Sequence, residues 1–393
     1  MRVLFTAAAT PAHFHIQVPI AQALRSAGYD VAFATGPNIV PRIAPLGFPA
    51  FPVGRPYAPE ADRSAEPGDE VPAVRIWRVW ERIYVGPAVA ERLADVRAVC
   101  ARWRPDVIVR ENAEFAGCVA AEALGLPHAV VQNGNLAMLG ALPRELLRAR
   151  LDALRAAAEL PPDPDLAMPF RYLLLLPVPR SFHDPALPLP PTAHFVRPLA
   201  FDRTGDEGLP GWLDLLPPRP TVFMTLGTVF NYRVDLFATV IAALGDEPLN
   251  LIVTVGRDQD PAQFGPQPAN VRVERYIPES LLLPHCALMV NVAGLNSVRT
   301  ACEHGVPLVL LPLMAEQAFN AERCAALGMA RVLDAATVTP PAVRAAVREV
   351  LEDRRYRENA ARVRDEVVAM PGPKHVVALL ERLASERQPL PAA

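Results

Sequence analysis

Two ionisable residues follow predicted strands in the N-terminal half of this chain. His13 comes shortly after the apolar run 3–8, and Glu111 follows the apolar run 107–109. A histidine at the carboxyl end of a strand suits a general base near neutral pH, and a carboxylate from an adjacent strand stabilises the imidazolium that forms. We therefore predict an acid–base pair. A surface or capping histidine and a solvated loop acid are the alternatives.

Two strand-to-helix turns in the C-terminal half are suited to an anion. Residues 225–228 read Thr-Leu-Gly-Thr, in which Gly227 permits close approach to the backbone, and residues 293–297 read Ala-Gly-Leu-Asn-Ser before a predicted helix. The open amides and positive end of a helix N-terminus favour a phosphate. For the single turn, Asn296 or Ser297 acting only as a helix cap is the alternative. The two turns together predict a nucleotide diphosphate site.

Three aromatic residues, Trp77, Trp80 and Tyr84, fall at positions i, i+3 and i+7 on one face of a predicted helix. Core packing is the simpler interpretation of this pattern. The functional alternative is an apolar acceptor pocket, because aromatic faces suit flat, planar molecules.

Length and composition limit the classes of protein to consider. The 393 residues are 51% hydrophobic and 21% charged, with a net charge of -3. This length predicts two domains of roughly 150–200 residues each, and the acidic balance argues against a nucleic-acid partner. The five cysteines form no C-x-x-C pair, which favours a reducing cytoplasm over zinc or disulfides. We expect no secretory signal and no membrane span, which needs about 20 apolar residues.

Strand and helix patterns alternate twice along the chain. In the first half, helices are predicted over residues 17–27, 88–103 and 116–124, between short strands without polar alternation, and the pattern restarts at residue 221. Such strands are typical of parallel sheets covered on both faces. The prolines and glycines of residues 202–220 exclude a helix or a central strand there.

These patterns predict an α/β protein of two doubly wound domains. The predicted segments are a first domain over 1–200, a linker over 201–219, a second domain over 220–372 and a C-terminal helix over 373–393. Ligands of such sheets bind outside the carboxyl ends of the strands.

Two Asp-x-Asp triplets, 163–165 and 258–260, lie in proline-flanked loops. Solvated turn acids are the simpler interpretation because no histidine cluster accompanies either triplet. We therefore predict chemistry that needs no metal, and keep a metal role at the second triplet open.

The ordered series from Ile277 to Leu333 resembles that of bacterial GT-B glycosyltransferases that decorate natural products such as antibiotics, relatives of the plant secondary-metabolite enzymes. It comprises the segment 277–288, the turn 293–297, Glu-His-Gly-Val-Pro at 303–307 and the segment 312–323. The resemblance extends over nearly the whole chain. It implies a GT-B fold, with two Rossmann-like domains facing each other across a cleft and a C-terminal helix that packs back on the first.

The resemblance also implies the activity and its partners. The reaction is inverting transfer of a (deoxy)sugar from a dTDP- or UDP-sugar to a natural-product acceptor. The nucleotide sugar is a co-substrate, so no resident cofactor is expected. Both partners are small molecules, and a homodimer stays open.

Residue roles follow from the resemblance position by position. His13 matches the catalytic base and Glu111 its partner, while Trp77, Trp80 and Tyr84 stay the weaker acceptor candidates. The turn matches the residues that contact the phosphates. Tyr276 and Ile277 match the residues that pack on the nucleotide base, and Glu316 and Gln317 match the pair that holds the sugar hydroxyls. The complete donor set is Thr228, Tyr276, Ile277, Val292, Gly294, Asn296, Ser297, Glu316 and Gln317.

The chain departs from the family pattern at three positions. Val292 stands where the phosphate turn normally begins with histidine, Thr300 replaces a glutamate that often binds the ribose, and Glu111 replaces aspartate. Loss of the imidazole removes a charge-assisted contact worth about 1.5–3 kcal/mol. Two further hypotheses follow. One is a weakened homologue that serves as an auxiliary protein for a partner enzyme. The other is a nucleotide-sugar epimerase, although the several acids that such an enzyme needs are not found.

Overall fold

The computed structural model describes residues 1–56, 72–203, 207–227, 231–313 and 316–392. The chain divides into two compact units. Unit 1 comprises Met1–Pro177, Pro185–Arg197 and Pro371–Ala393, and unit 2 comprises Val178–Asp184 and Pro198–Met370. Within the described ranges, no helix is both long enough and apolar enough to cross a membrane.

Unit 1 contains a sheet of short apolar strands whose side chains are mostly buried. The strands are β1 (Arg2–Thr6), β2 (Asp30–Thr35), β3 (Ala50–Pro52), β4 (Val107–Glu111), β5 (His128–Val131), β6 (Leu173–Leu176) and β7 (Ala193–Phe195). Their order is β3-β2-β1-β4-β5-β6-β7, and each pairing is parallel. The carboxyl ends of β1 and β4 therefore lie side by side at one edge.

Helices connect these strands, and several begin at a proline, whose fixed φ suits the first helical turn. They are α1 (Pro11–His15), α2 (Val18–Ser26), α3 (Val40–Ile43), α4 (Pro72–Ile83), α5 (Pro87–Trp103), α6 (Phe115–Ala123), α7 (Leu136–Ala141) and α8 (Arg144–Ala157). In α2, Val18, Ala21 and Leu24 are buried at helical spacing.

Unit 2 repeats the arrangement with six parallel strands. They are β8 (Thr221–Thr225), β9 (Asn250–Thr254), β10 (Val271–Glu274), β11 (Leu288–Asn291), β12 (Leu308–Leu310) and β13 (Ala330–Val332). Their order is β10-β9-β8-β11-β12-β13. Alternate residues of the central strands, among them Val222, Val290 and Val309, form one hydrophobic core with Phe237 and Val347.

The helices of unit 2 are α9 (Val234–Leu244), α10 (Glu279–Leu282), α11 (Leu295–His304), α12 (Gln317–Ala326), α13 (Pro340–Glu352) and α14 (Arg354–Ala369). Both units thus have a parallel, Rossmann-like α/β arrangement, and the prediction of two such domains is confirmed.

The units depart from the predicted domain limits by two or three residues near 198 and 371, and by one internal segment. Residues 178–184, placed by the sequence in the first domain, belong to unit 2. The guanidinium of Arg323 donates to the carbonyls of Phe182 (3.1 Å) and Ser181 (3.0 Å), and Glu366 accepts the Ser181 amide at 3.0 Å. These contacts join residues that are far apart in sequence, so the proline-rich pattern alone did not reveal them.

The C-terminal helix α15 (Pro373–Glu386) belongs to unit 1. There it packs against α2. The Tyr29 phenol donates to Glu381 at 2.5 Å, and Arg387 donates to the carbonyl of Gly125.

The sequence patterns did not predict β3, β6, β7 and β13. Three of these strands, β3, β7 and β13, have only three residues, too few to show a period.

Candidate active site

His13 lies in α1, the one-turn helix that follows β1. Thr10 is extended just before this helix, and Pro11 occupies its first turn. Thr6 at the end of β1 pairs with Arg110 of β4, so Glu111, the last residue of β4, comes at the same edge of the sheet. The topology therefore brings the two predicted residues together although they are 98 positions apart in the sequence (111 minus 13).

The Nδ1 atom of His13 lies 2.9 Å from Oε2 of Glu111. The carboxylate is completely buried, whereas 16% of the histidine side chain is exposed. Glu111 also accepts hydrogen bonds from the amides of Ala8 (3.1 Å) and Ala113 (2.7 Å). Burial favours a higher pKa, but the charge and hydrogen bond of His13, together with these two amides, leave the pKa of Glu111 below its ordinary value.

An ionised Glu111 fixes the orientation of the imidazole. A carboxylate is only an acceptor, so the nitrogen that faces it carries the proton, and in the neutral ring Nε2 is then the basic atom. The geometry matches a histidine base backed by a carboxylate, in which the acid orients the ring and stabilises the imidazolium.

The basic nitrogen of His13 faces Tyr84. The phenol oxygen lies 3.3 Å from Nε2, and the two rings stack with centroids 5.5 Å apart. Trp80, 3% exposed, packs against Tyr84 and Phe115, and Trp77 is also buried. Of the three predicted aromatic residues, Tyr84 is thus placed on the candidate base, whereas the tryptophans have the burial that core packing predicts.

A buried arginine supports the end of β4. The Arg110 guanidinium donates to the carbonyls of Glu111 (3.0 Å), Asn112 (3.2 Å) and Pro169 (2.5 Å). These bonds fix the backbone from which the Glu111 side chain projects. Sequence reasoning missed this residue, because an arginine within an apolar strand gives no sign of its carbonyl partners.

A second buried acid, Glu114, lies shortly after β4, and the hydrogen bonds given for its carboxylate go to residues other than His13. Its carboxylate accepts from Thr6 Oγ1 at 2.6 Å and from the Gly117 amide at 2.8 Å. A Cβ at Gly117 would lie 2.2 Å from Thr6 Oγ1, so the close approach requires glycine. Glu114 was also missed, and its place at the N-cap of α6 was the only available signal.

In unit 2, the predicted phosphate turn links β11 to α11. The amide of Ala293 donates to Asn291 Oδ1 at 2.6 Å, and its carbonyl accepts from Asn320 Nδ2 at 2.9 Å. Gly294 then begins the helix in an extended conformation and has no side chain to cap it. The first amides of α11 therefore have no intrahelical partner, which is the arrangement that binds anions.

Asn296 is held from within α11. Its Oδ1 accepts from Arg299 Nη1 at 3.0 Å, and its carbonyl accepts from the Thr300 hydroxyl at 3.0 Å. Because its oxygen faces Arg299, the Nδ2 group of Asn296 points elsewhere as a donor. Burial lowers the pKa of Arg299 to about 9, and the charge of Glu316 opposes that change.

The Ser297 hydroxyl donates to Glu279 Oε1 at 2.9 Å. Burial raises the pKa of Glu279 to about 7; Asp202 adds to this, and the hydrogen bond from Ser297 opposes it. The serine therefore does not cap α11, whose N-cap is Gly294, but joins α11 to α10.

Val292, at the position where the family pattern has histidine, is 4% exposed and packs in the core of unit 2. Because side chains alternate along a strand, Val292 and Asn291 point to opposite faces of the sheet. The valine therefore offers the turn no polar contact.

The other predicted donor residues are largely packed. The Tyr276 phenol donates to the Asp202 carbonyl, and the Arg257 guanidinium lies 3.7 Å from the centre of its ring. Ile277 is buried. Gln317, also buried, accepts the Leu313 amide at 2.8 Å through its Oε1 atom.

Two of the remaining predictions have different outcomes. Thr228 lies outside the described residues; Gly227 just before it has a φ of 71°, and a Cβ there would meet nothing within 4 Å. Glu316 directly precedes α12. Its charge raises the pKa of Arg299, which donates to Asn296 in the predicted phosphate turn.

One Asp-x-Asp triplet differs from its prediction as a pair of solvated acids. Asp163 is buried, accepts the Met168 amide at 2.7 Å and lies 3.6 Å from Arg171. It caps a short turn inside unit 1, which sequence pattern cannot distinguish from an exposed turn. Asp258 and Asp260 are exposed as predicted. No group of three metal-ligating side chains is found in the ranges that the structure covers.

Comparison with known proteins gives matches along almost the entire chain. The family model described as erythromycin biosynthesis protein CIII-like, N-terminal domain, matches residues 78–227, and its C-terminal counterpart matches residues 238–383. The chain is 29% identical to 3-alpha-mycarosylerythronolide B desosaminyl transferase of Saccharopolyspora erythraea, over 99% of both chains. It is 31% identical to L-demethylnoviosyl transferase of Streptomyces niveus, over 100% of both.

A solved structure extends the similarity to three dimensions. The glycosyltransferase VinC in complex with dTDP superposes with a TM-score of 0.82 and 26% identity, over 98% of this chain and 100% of that one.

Proposed function

This chain belongs to the bacterial antibiotic glycosyltransferase family of the erythromycin biosynthesis protein CIII type, and we propose that it transfers a sugar with inversion to a hydroxyl of a natural-product acceptor. The donor is a dTDP- or UDP-linked sugar. The observation that carries the proposal is the contact of 2.9 Å between His13 and the buried Glu111.

The reaction begins at Nε2 of His13. This nitrogen accepts the proton of the acceptor hydroxyl while the oxygen attacks the anomeric carbon of the sugar. The bond between that carbon and the diphosphate oxygen breaks, and the diphosphate leaves with the electron pair, so the configuration inverts. Glu111 stabilises the imidazolium that results, because the two opposite charges lie side by side away from water.

The start of α11 is the proposed site of the diphosphate. Its open amides and the positive end of the helix stabilise the charge that grows on the leaving group. The Nδ2 group of Asn296, turned away from Arg299, provides a further donor. The complex of the similar glycosyltransferase VinC with dTDP supports a nucleoside diphosphate as the ligand.

The remaining donor contacts are proposed from the family resemblance. Glu316 and Gln317 hold sugar hydroxyls. Tyr276 and Ile277 pack near the nucleotide base of the donor, and Thr228 contacts a phosphate. We propose that no metal takes part, because the helix terminus supplies the positive potential that a divalent cation would otherwise provide. Activity that survives a chelator supports this point, and activity lost on chelation and restored by one added cation contradicts it.

The burial of Val292 favours a second candidate, an auxiliary protein that binds a partner enzyme without turnover. The two candidates differ in ligand binding. We would titrate the purified protein with dTDP, UDP, GDP and ADP without metal and follow its melting temperature. A ligand that binds only the folded state stabilises it by about 2.7 kcal/mol at a hundredfold excess over Kd. A shift with dTDP or UDP, lost in Ser297→Trp, supports the donor site, and no shift favours the auxiliary protein.

The catalytic assignment is tested by His13→Ala. We expect this variant to lose sugar transfer by about 10²–10⁴-fold, the usual contribution of a general base, while its Kd for dTDP stays that of the wild type. Transfer at a near wild-type rate would show that another group removes the proton. Loss of both activity and dTDP binding would point to misfolding, which a circular dichroism spectrum detects.

A further inference from the structure

Ala293 has the least usual backbone conformation of the turn between β11 and α11. Its φ of 61° lies in the left-handed region, where a Cβ is crowded by the following carbonyl. Among the other non-glycine residues described, Arg104, Glu159, Leu166 and Arg387 share such a φ, but none of these four is buried. Ala293 is completely buried and lies between a strand and the start of a helix. Its conformation therefore needs another cause.

Two buried asparagines bind both polar groups of this one peptide residue. Asn291 accepts from its amide at 2.6 Å, and Asn320 of α12 donates to its carbonyl at 2.9 Å. The exposure of the two side chains is 1% and 0%. Hydrogen bonds at both ends of Ala293 restrain its φ and ψ together, which neither bond does alone.

The side-chain NH2 group of Asn291 takes no part in this contact. Its Nδ2 atom is buried and lacks a hydrogen-bond partner among the residues described. An unpaired buried donor is unfavourable, by about 1–3 kcal/mol. An apolar side chain at position 291 would avoid this unpaired donor but would lose the contact to the Ala293 amide.

The conformation of Ala293 sets the direction in which the chain enters α11. Gly294 follows with φ -61° and ψ 133°, and the amides of residues 295–297 come next. If Ala293 moved to the right-handed or extended region, these amides would turn away from their common direction. A turn that is already in its binding conformation loses less entropy when the ligand binds.

We propose that Asn291 and Asn320 are positioning residues, which hold Ala293 in the left-handed conformation and so preform the turn for a nucleoside diphosphate. This inference rests on the proposed function, which assigns the diphosphate to this turn. It places the binding capacity of the turn in its restrained backbone.

The test uses glycine as a rescue. Asn320→Leu keeps the approximate size of the side chain but removes the donor, and we expect the Kd for dTDP to rise about tenfold, or about 1.4 kcal/mol. Glycine adopts positive φ without a steric penalty. In Ala293→Gly/Asn320→Leu, the Kd therefore returns to within about threefold of that of Ala293→Gly alone, about 0.65 kcal/mol.

Asn250→Leu is the matched control. Asn250 is buried in the same unit and also donates to backbone carbonyls, those of Pro217 (3.0 Å) and Arg219 (3.3 Å). It lies at the first residue of β9, the opposite end of the sheet from the turn. We expect this variant to melt at a lower temperature and to bind dTDP with the wild-type Kd.

Asn291→Leu provides a second series if Asn320→Leu does not fold, and the same glycine must rescue it. An unchanged Kd in both leucine variants, or a raised Kd that glycine does not restore, overturns the inference while the donor site stands. A wild-type protein that binds neither dTDP nor UDP overturns the proposed donor site, and the inference with it.

Discussion

Replacing Glu111 by glutamine separates the charge of this residue from its shape. The carboxylate has two oxygens in use: one faces His13 and the Ala113 amide, and the other accepts from the Ala8 amide. Glutamine has only one oxygen. The favoured orientation keeps that oxygen on His13 and Ala113, because it sacrifices one bond instead of two. The imidazole then keeps its orientation and loses the negative charge beside it.

The expected loss follows from the distance. Two unit charges 2.9 Å apart interact by about 6 kcal/mol at an effective dielectric constant of 20. The neutral hydrogen bond that remains and the partial exposure of His13 offset roughly half of this. A loss of about 3 kcal/mol in the transition state corresponds to a decrease in kcat of about 10²-fold.

The assay is sugar transfer to an aglycone that the wild type accepts, with kcat and KM determined separately. Glu114→Gln is the matched control, because Glu114 is an equally buried acid whose bonds go to Thr6 and Gly117. We expect the control to melt at a lower temperature with kcat nearly unchanged. If Glu111→Gln and Glu114→Gln reduced kcat equally, or if neither did, the charge of Glu111 would have no special part in the reaction.

Three further predictions concern single contacts. Glu279→Gln should stabilise the protein at pH 8 by up to about 3 kcal/mol. The pKa of this carboxyl is raised to about 7 in the folded state, so the folded wild type becomes less stable relative to the unfolded chain as pH rises from about 4.5 to 7. The gain should vanish at pH 4 in thermal melts, and an equal gain at both pH values contradicts the prediction. Tyr84→Phe removes the phenol 3.3 Å from the base, so the acceptor KM should fall or stay unchanged, whereas a tenfold loss of kcat would make the phenol a participant in the reaction. Gly117→Ala introduces a Cβ 2.2 Å from Thr6 Oγ1 and should cost about 1–3 kcal/mol in denaturant unfolding, so an unchanged midpoint would show that the site can adjust.

Strand periodicity and topology explain why the contact between His13 and Glu111 was predictable. His13 and Glu111 each follow an apolar run, and parallel strands place their carboxyl ends at one edge. The sequence did not indicate which strands are neighbours, and the contact depends on β4 lying directly beside β1. The aromatic triplet was predictable only as one face of a helix. Trp80 and Tyr84 contact each other on that face, and Tyr84 is the one that stacks on His13 in the contacts described.

The supporting residues were beyond sequence reasoning for a different reason. Arg110, Asn291 and Asn320 act through backbone groups, and a carbonyl or amide carries no residue identity that a pattern could match. The same limit explains residues 178–184, whose carbonyls are bound by an arginine about 140 positions later (323 minus 182 is 141). Contacts of this kind become visible only when the chain has been folded.

Val292 shows how strand parity changes the meaning of a departure from a family pattern. By sequence, valine in place of histidine removes a polar contact from the phosphate turn. In the structure its side chain packs in the hydrophobic core, whereas Asn291 points to the opposite face of the sheet and, together with Asn320, binds the backbone of Ala293. The apolar residue therefore adds to the core of unit 2, while a restrained backbone presents the helix amides. If the rescue by glycine succeeds, the missing imidazole costs this site one contact without removing its capacity to bind an anion.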